Sequence, residues 1–163
     1  MQAPMQAAMD YAQVLDEVYV GACPDTHERI GTLKHHLGVT AVLNLQTDED
    51  MERLGHDWRK LSAHYRREKI KVCRVPMRDF DAEDLRKNLP RAVQVLGELL
   101  RQQHTVYVHC TAGLGRSPSV VIAYMNWVQQ RELDDAAQFV TRCRPSSPNV
   151  EAIRLAGEDL WGD

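Results

Sequence analysis

The segment whose residue types and spacing could do chemistry is His109-Cys110-Thr111-Ala112-Gly113-Leu114-Gly115-Arg116-Ser117. It follows an apolar run, Val106-Tyr107-Val108, with the look of a buried strand, and leads into an apolar stretch of helical spacing. Strand, glycine-bearing turn and helix in that order make an anion site. Gly113 and Gly115 would allow positive φ angles, so that the N–H groups of Thr111, Ala112, Gly113, Leu114, Gly115 and Arg116 turn inward. The helix then aims its own N–H groups and the positive end of its dipole at the same point. A phosphate dianion fits that cradle.

The same field favours a thiolate at Cys110, the form of cysteine that attacks phosphorus. Arg116 can return over the loop with a planar fork that grips two phosphate oxygens, which a lysine cannot do. Ser117 is placed either to donate a hydrogen bond to the Cys110 sulfur or to cap the helix, and Pro118 suits a first helical turn. His109 should point away from a pocket that Cys110 faces, and is expected to orient the loop rather than transfer a proton. Cleavage of a phosphoester also needs a proton for the leaving oxygen, and Asp79, Asp81 and Asp84 are the candidates. Asp81 is alternatively the cap of a helix starting near Ala82.

Positioning these groups takes a scaffold. Val18 to Val20, Val39 to Leu45, Ile70 to Val75 and Thr105 to Val108 read as strands. Helical spacing is expected over Asp25 to Leu37, Glu49 to Glu68, Leu85 to Gln103, Ser117 to Gln130, Asp134 to Cys143 and Asn149 to Leu160. Alternating strands and helices predict a single α/β domain, with a central, mostly parallel sheet flanked by helices and a ligand site at the carboxyl ends of the strands.

With 163 residues, 44% apolar and 26% charged, the chain has the balance of one globular domain. Its net charge of -3 argues against nucleic acid or an anionic membrane as partner. No apolar run approaches the ~20 residues of a membrane span, and Met1 to Met9 lacks the features of a signal peptide. The four cysteines have neither zinc-site spacing nor disulfide density, so they read as thiols of a reducing compartment. A cytoplasmic chain is expected, or a plastid one if a transit peptide had been removed.

The His-Cys, five residues, Arg, Ser signature resembles the active-site loop of the protein tyrosine phosphatase superfamily, in its small dual-specificity branch. Asp79 lies 31 residues before Cys110, similar to the usual offset of the acid in that branch, and is the preferred proton donor. Cys110 to Arg116, Arg78-Asp79-Phe80-Asp81, Leu43 to Asp48 and Glu151 to Arg154 together resemble the glucan phosphatases, the group of laforin and the plant starch phosphatases. The resemblance implies residues 1–10 as an N-terminal tail and 11–163 as a phosphatase catalytic domain that needs no metal or cofactor.

It also implies a phosphorylated glucan as substrate and partner, with Phe80, Tyr11 and Trp58 as candidate sugar platforms. Tyr11 and Trp58 are equally readable as packing residues. The sequence departs from the group at Arg53-Leu54 and Ser146-Ser147, where aromatics are expected. A phosphoprotein or phosphoinositide phosphatase and a non-catalytic binding module remain as alternatives. The oligomeric state is left open.

Overall fold

The computed structural model describes residues 9–162. In chain order its elements are β1 (Tyr11–Leu15), β2 (Val18–Gly21), α1 (His27–His35), β3 (Ala41–Asn44), α2 (Asp48–Arg53), α3 (Trp58–Arg67), β4 (Lys71–Arg74), α4 (Ala82–Arg101), β5 (Val106–His109), α5 (Arg116–Trp127), α6 (Leu133–Cys143) and α7 (Val150–Trp161). The sheet has the order β1-β2-β5-β3-β4, with β1 antiparallel to β2 and the remaining pairs parallel. This is the expected α/β architecture, with β5 in the middle of the sheet and the loop that follows it at the centre of one edge.

Period-two alternation divides the strand side chains between two cores. Val18, Val20, Ala41, Leu43, Val106 and Val108 join the core on one face, which also takes residues of α4 to α7. Val42 and Tyr107, with Tyr19 packed against them, join the core on the opposite face, with Ile30 and Leu33 of α1 and Leu61 and Tyr65 of α3. Strands buried on both faces read as continuous apolar runs, which is why β3 and β5 were recognisable.

Three features differ from the expectations. The charged stretch from Glu49 to Glu68 is two helices: α2 ends before Gly55, whose φ of 72° takes the left-handed conformation of a C-terminal cap, and Asp57 then caps α3 by accepting from the Lys60 N–H. Strand β1 carried no clear signal, because a short edge strand with only Val14 buried lacks the apolar content that marks the others. Met9 is buried and Asp10 is hydrogen-bonded, although both fall in the segment expected to be a tail.

At the end of β2 the backbone of Gly21 lies against the loop after β5. A Cβ on Gly21 would stand 2.3 Å from Tyr107 Oη and 2.6 Å from Asp10 O, and one on Gly113 would stand 2.3 Å from Gly21 C. Tyr107 Oη also donates to Ala22 O at 2.5 Å, so little at this junction can yield. Gly21→Ala should therefore destabilise the chain by about 2 kcal/mol or more, as a site overpacked against the Asp10 backbone carbonyl and the hydrogen-bonded Tyr107 hydroxyl. Urea unfolding measures this, and an unchanged midpoint would show that the junction relaxes freely.

Candidate active site

The turn from Cys110 to Gly115 joins the carboxyl end of β5 to the amino end of α5. Its carbonyls are accounted for one after another. Cys110 O accepts from His109 Nδ1 at 2.9 Å, Thr111 O from the Cys23 N–H at 2.9 Å, and Ala112 O from Arg144 Nη2 at 2.8 Å. Gly113 O accepts from Arg144 Nε at 2.7 Å, Leu114 O from the Ser147 N–H at 2.7 Å, and Gly115 O from the Ser119 hydroxyl at 2.8 Å. None of the N–H groups of Thr111 to Gly115 has a hydrogen-bond partner among the described residues. Carbonyls bonded outward and amides left over make an anion cradle.

Gly113 has the positive φ expected of it, 73°. Gly115 does not: its φ is -126°, it stands as the residue before α5, and a Cβ there would meet only Ser147 O at 3.9 Å. One left-handed residue is enough to reverse the loop. Arg144 was not singled out from the sequence. It is 3% exposed and is held in place by Asp10, whose carboxylate accepts from Nη1 at 2.8 Å and Nη2 at 3.2 Å.

Cys110 is 3% exposed and its Sγ lies 3.3 Å from Ser117 Oγ, so the serine reaches the sulfur as expected. The Arg116 guanidinium is almost fully buried. Its Nη1 donates to Asp50 Oδ2 at 2.7 Å and to Met77 O at 2.8 Å, while Nη2 contacts Thr111 Oγ1 at 3.3 Å and Asp79 Oδ2 at 3.4 Å. Nε has no partner among the described residues, which leaves a buried cationic donor for an anion to satisfy. Asp50 was also missed. Burial alone would push its carboxyl up, but hydrogen bonds from Arg116 and Thr47 outweigh this and hold it below its usual value. The readable signal was Thr47-Asp48-Glu49-Asp50, a capping box in which Asp50 bonds Thr47 in both directions. What could not be read is that the same carboxylate also meets Arg116.

Of the three candidate acids, Asp79 is the one directed at Arg116. Asp81 caps α4 through the Asp84 N–H, and Asp84 accepts from the Arg78 N–H at 2.7 Å. Arg78 to Asp81 and the loop residues Cys110, Ala112, Leu114, Gly115 and Arg116 line a common cleft of about 510 Å³. Phe80 stands at this cleft fully exposed, with an unusual φ of 56° for a residue with a side chain. Tyr11 and Trp58 do not line it. Tyr11 sits edge-on to Tyr19 on the β1 edge, and Trp58 packs toward Tyr65 beneath the Arg74 guanidinium.

Residues 18–155 match the family model for the dual specificity phosphatase catalytic domain. The chain is 36% identical over 152 residues to phosphoglucan phosphatase LSF1, chloroplastic, of Arabidopsis thaliana, covering 93% of this chain and 26% of that protein. It is 34% identical over 164 residues to laforin of Mus musculus, covering 94% of this chain and 50% of that protein. It thus spans between a quarter and a half of the length of these curated relatives. Among solved structures it resembles PTPMT1 in complex with PI(5)P, with a TM-score of 0.77, 21% identity and coverage of 93% and 96%, a likeness of fold.

His109 generates a pH prediction. Burial pushes its imidazole down to about 4, and the neutral ring donates from Nδ1 to Cys110 O. The unfolded chain takes up that proton near pH 6.5, so the stability contribution is full above 6.5 and is lost as pH falls toward 4. The loss is on the order of 2–3 kcal/mol. Asp50 works in a lower window, below the ordinary aspartate value. Urea unfolding of the wild type and His109→Asn between pH 7 and 4.5 should show a shallower slope for the variant; equal slopes would mean that His109 is not buried neutral.

Proposed function

The chain belongs to the dual specificity phosphatase catalytic-domain family, and from that premise we propose that it hydrolyses phosphate monoesters on glucan through a phosphocysteine. The observation that carries the chemistry is the convergence of Cys110, inward-facing loop amides, the buried Arg116 fork and Asp79 on one cleft. The Cys110 thiolate attacks phosphorus, forming the S–P bond as the ester P–O bond breaks. Asp79 gives its proton to the departing alkoxide. Arg116 and the amides of Thr111 to Gly115 hold the equatorial oxygens, where charge spreads in the transition state. Asp79 then takes a proton from water as its oxygen attacks phosphorus. Inorganic phosphate leaves, and sulfur departs as a thiolate with the Ser117 hydroxyl bonded to it. The step uses these side chains and water, with no redox change.

Glucan as substrate is supported by the relatives, whose names include phosphoglucan phosphatase, and by Phe80, an aromatic ring fully exposed beside Asp79 on which a sugar can rest. Tyr11 and Trp58 lie off the cleft, so Phe80 carries the platform assignment here. The four cysteines are all free, which suits a reducing compartment. We assign the chain to the cytoplasm, with a plastid as the alternative that the name of the Arabidopsis relative carries. Among the described residues no helix is long and apolar enough to cross a membrane.

Cys110→Ser should abolish phosphate release, and Asp79→Ala should slow esters of poor leaving groups by about 100-fold or more while sparing aryl phosphates. A stronger leaving-group effect in Asp81→Ala would reassign the acid. For the substrate, phosphate release from solubilised phosphoglucan should exceed release from a phosphopeptide. Phe80→Ala should lower kcat/KM on the glucan about three- to tenfold, with aryl phosphate hydrolysis little changed. Preference for the phosphopeptide would overturn the glucan reading and leave the phosphocysteine chemistry standing.

A further inference from the structure

Outside the ring of the phosphate loop, three side chains from two connections meet. Cys23 and Asp25 lie between β2 and α1, and His56 lies between α2 and α3; one ligating atom from each lies within 4.8 Å of the others. They form no part of the cleft. Cys23 is 9% exposed, and its N–H is the donor to Thr111 O.

The His56 imidazole is only 10% exposed, yet its Nδ1 has no hydrogen-bond partner among the described residues. Its Nε2 stands 3.7 Å from Asp25 Oδ2. That is too long for a hydrogen bond. It is close to the separation of about 3.4 Å expected between nitrogen and oxygen ligands each about 2.1 Å from one tetrahedral ion. Nε2 is therefore the nitrogen turned toward the cluster, and an ion between it and Oδ2 would bind both atoms, which at this distance do not bond each other. The other Asp25 oxygen is already fixed, since Oδ1 accepts from Arg29 Nη1 at 2.6 Å. An outer partner of that kind orients a ligating carboxylate, here leaving Oδ2 turned toward His56.

We propose that Cys23, Asp25 and His56 form a binding site for one divalent, thiol-seeking cation of the zinc type, seated against the outside of the phosphate loop. Thiolate, imidazole and carboxylate are the donors zinc prefers, and three of them leave a fourth position for water. On uptake the Cys23 S–H bond breaks, a sulfur–metal bond forms, and the proton leaves to solvent with no change of oxidation state. Burial first, and then the charges of Asp25 and Cys110, push the free thiol up to about 12. The ion must therefore displace a tightly held proton, and the same negative neighbours that disfavour a bare thiolate favour a cation beside it. The site takes no part in phosphoryl transfer, and the proposal is independent of the substrate.

The test uses the full chain with Cys73→Ser, Cys110→Ser and Cys143→Ser, which leaves Cys23 as the sole thiol and all three proposed ligands intact. Titrated with Zn²⁺ against a chromophoric chelator, this protein should bind one equivalent. With Co²⁺ as probe it should show a thiolate-to-cobalt charge-transfer band. Adding Cys23→Ser should remove the band, and adding His56→Gln should weaken zinc at least about 100-fold. Zinc should also raise the Tm of the parent and not that of the Cys23→Ser protein, a comparison that shows whether each variant is folded. Failure of the parent to compete with the chelator, absence of the cobalt band, or unchanged zinc affinity after Cys23→Ser would each overturn the proposal.

Discussion

A loop that turns successive N–H groups toward one anion must turn its carbonyls the opposite way, and buried carbonyls need donors. That constraint organises this molecule. The donors come from His109 on the strand before the loop, Cys23 after β2, Arg144 after α6, Ser147 before α7 and Ser119 in α5. Elements far apart in the chain are thus drawn to one place by the same requirement. Asp10 belongs to the set as well, because it fixes the guanidinium that holds two of the carbonyls.

Electrostatics follow from the same geometry. A guanidinium buried like that of Arg116 is tolerated only with its donors engaged, and removing one partner of a buried pair typically costs about 3–5 kcal/mol. Asp50 and Met77 O take Nη1, while Nη2 reaches Thr111 and Asp79. Both terminal nitrogens thus have partners, while Nε has none among the described residues and is the donor that the proposed phosphate would take. Asp79 shares this arrangement at the mouth of the cleft, partly exposed, where a leaving oxygen and water can both reach it. Depth divides the site: the loop, Cys110 and Arg116 are buried, while Phe80 stands exposed at the rim, which matches the proposed split between reaction and substrate.

Cys23 shows how one residue can stand in two circuits. Its backbone N–H serves the loop, while its side chain faces outward to Asp25 and His56. An ion held there would touch the scaffold of the cradle without entering it. The tight junction of Gly21, Gly113 and Tyr107 lies in the same region, so the outside of the loop is both closely packed and chemically furnished.

Much of the fold and of the candidate site was legible because the signals are local. Strands buried on both faces are continuous apolar runs, and the strand, glycine and helix around Cys110 are contiguous, so Cys110, Arg116 and Ser117 could be read in place. The break at Gly55 and Asp57 is equally local, a left-handed glycine followed by an aspartate cap, but it lies within a charged stretch whose composition continues on both sides. Asp50, Arg144, Asp10 and the meeting of Cys23 with Asp25 and His56 were a different matter. Each is an ordinary residue whose role depends on a partner many positions away, and spacing along a chain carries no information about which distant carbonyl or guanidinium a side chain will meet. By itself the sequence determined the phosphate-loop signature and the candidate groups from which the proposed reaction is read. Only the tertiary structure decided what satisfies the outward carbonyls, which carboxylate faces Arg116, and which aromatics reach the cleft, because burial and hydrogen bonding are settled by packing between elements and not within them.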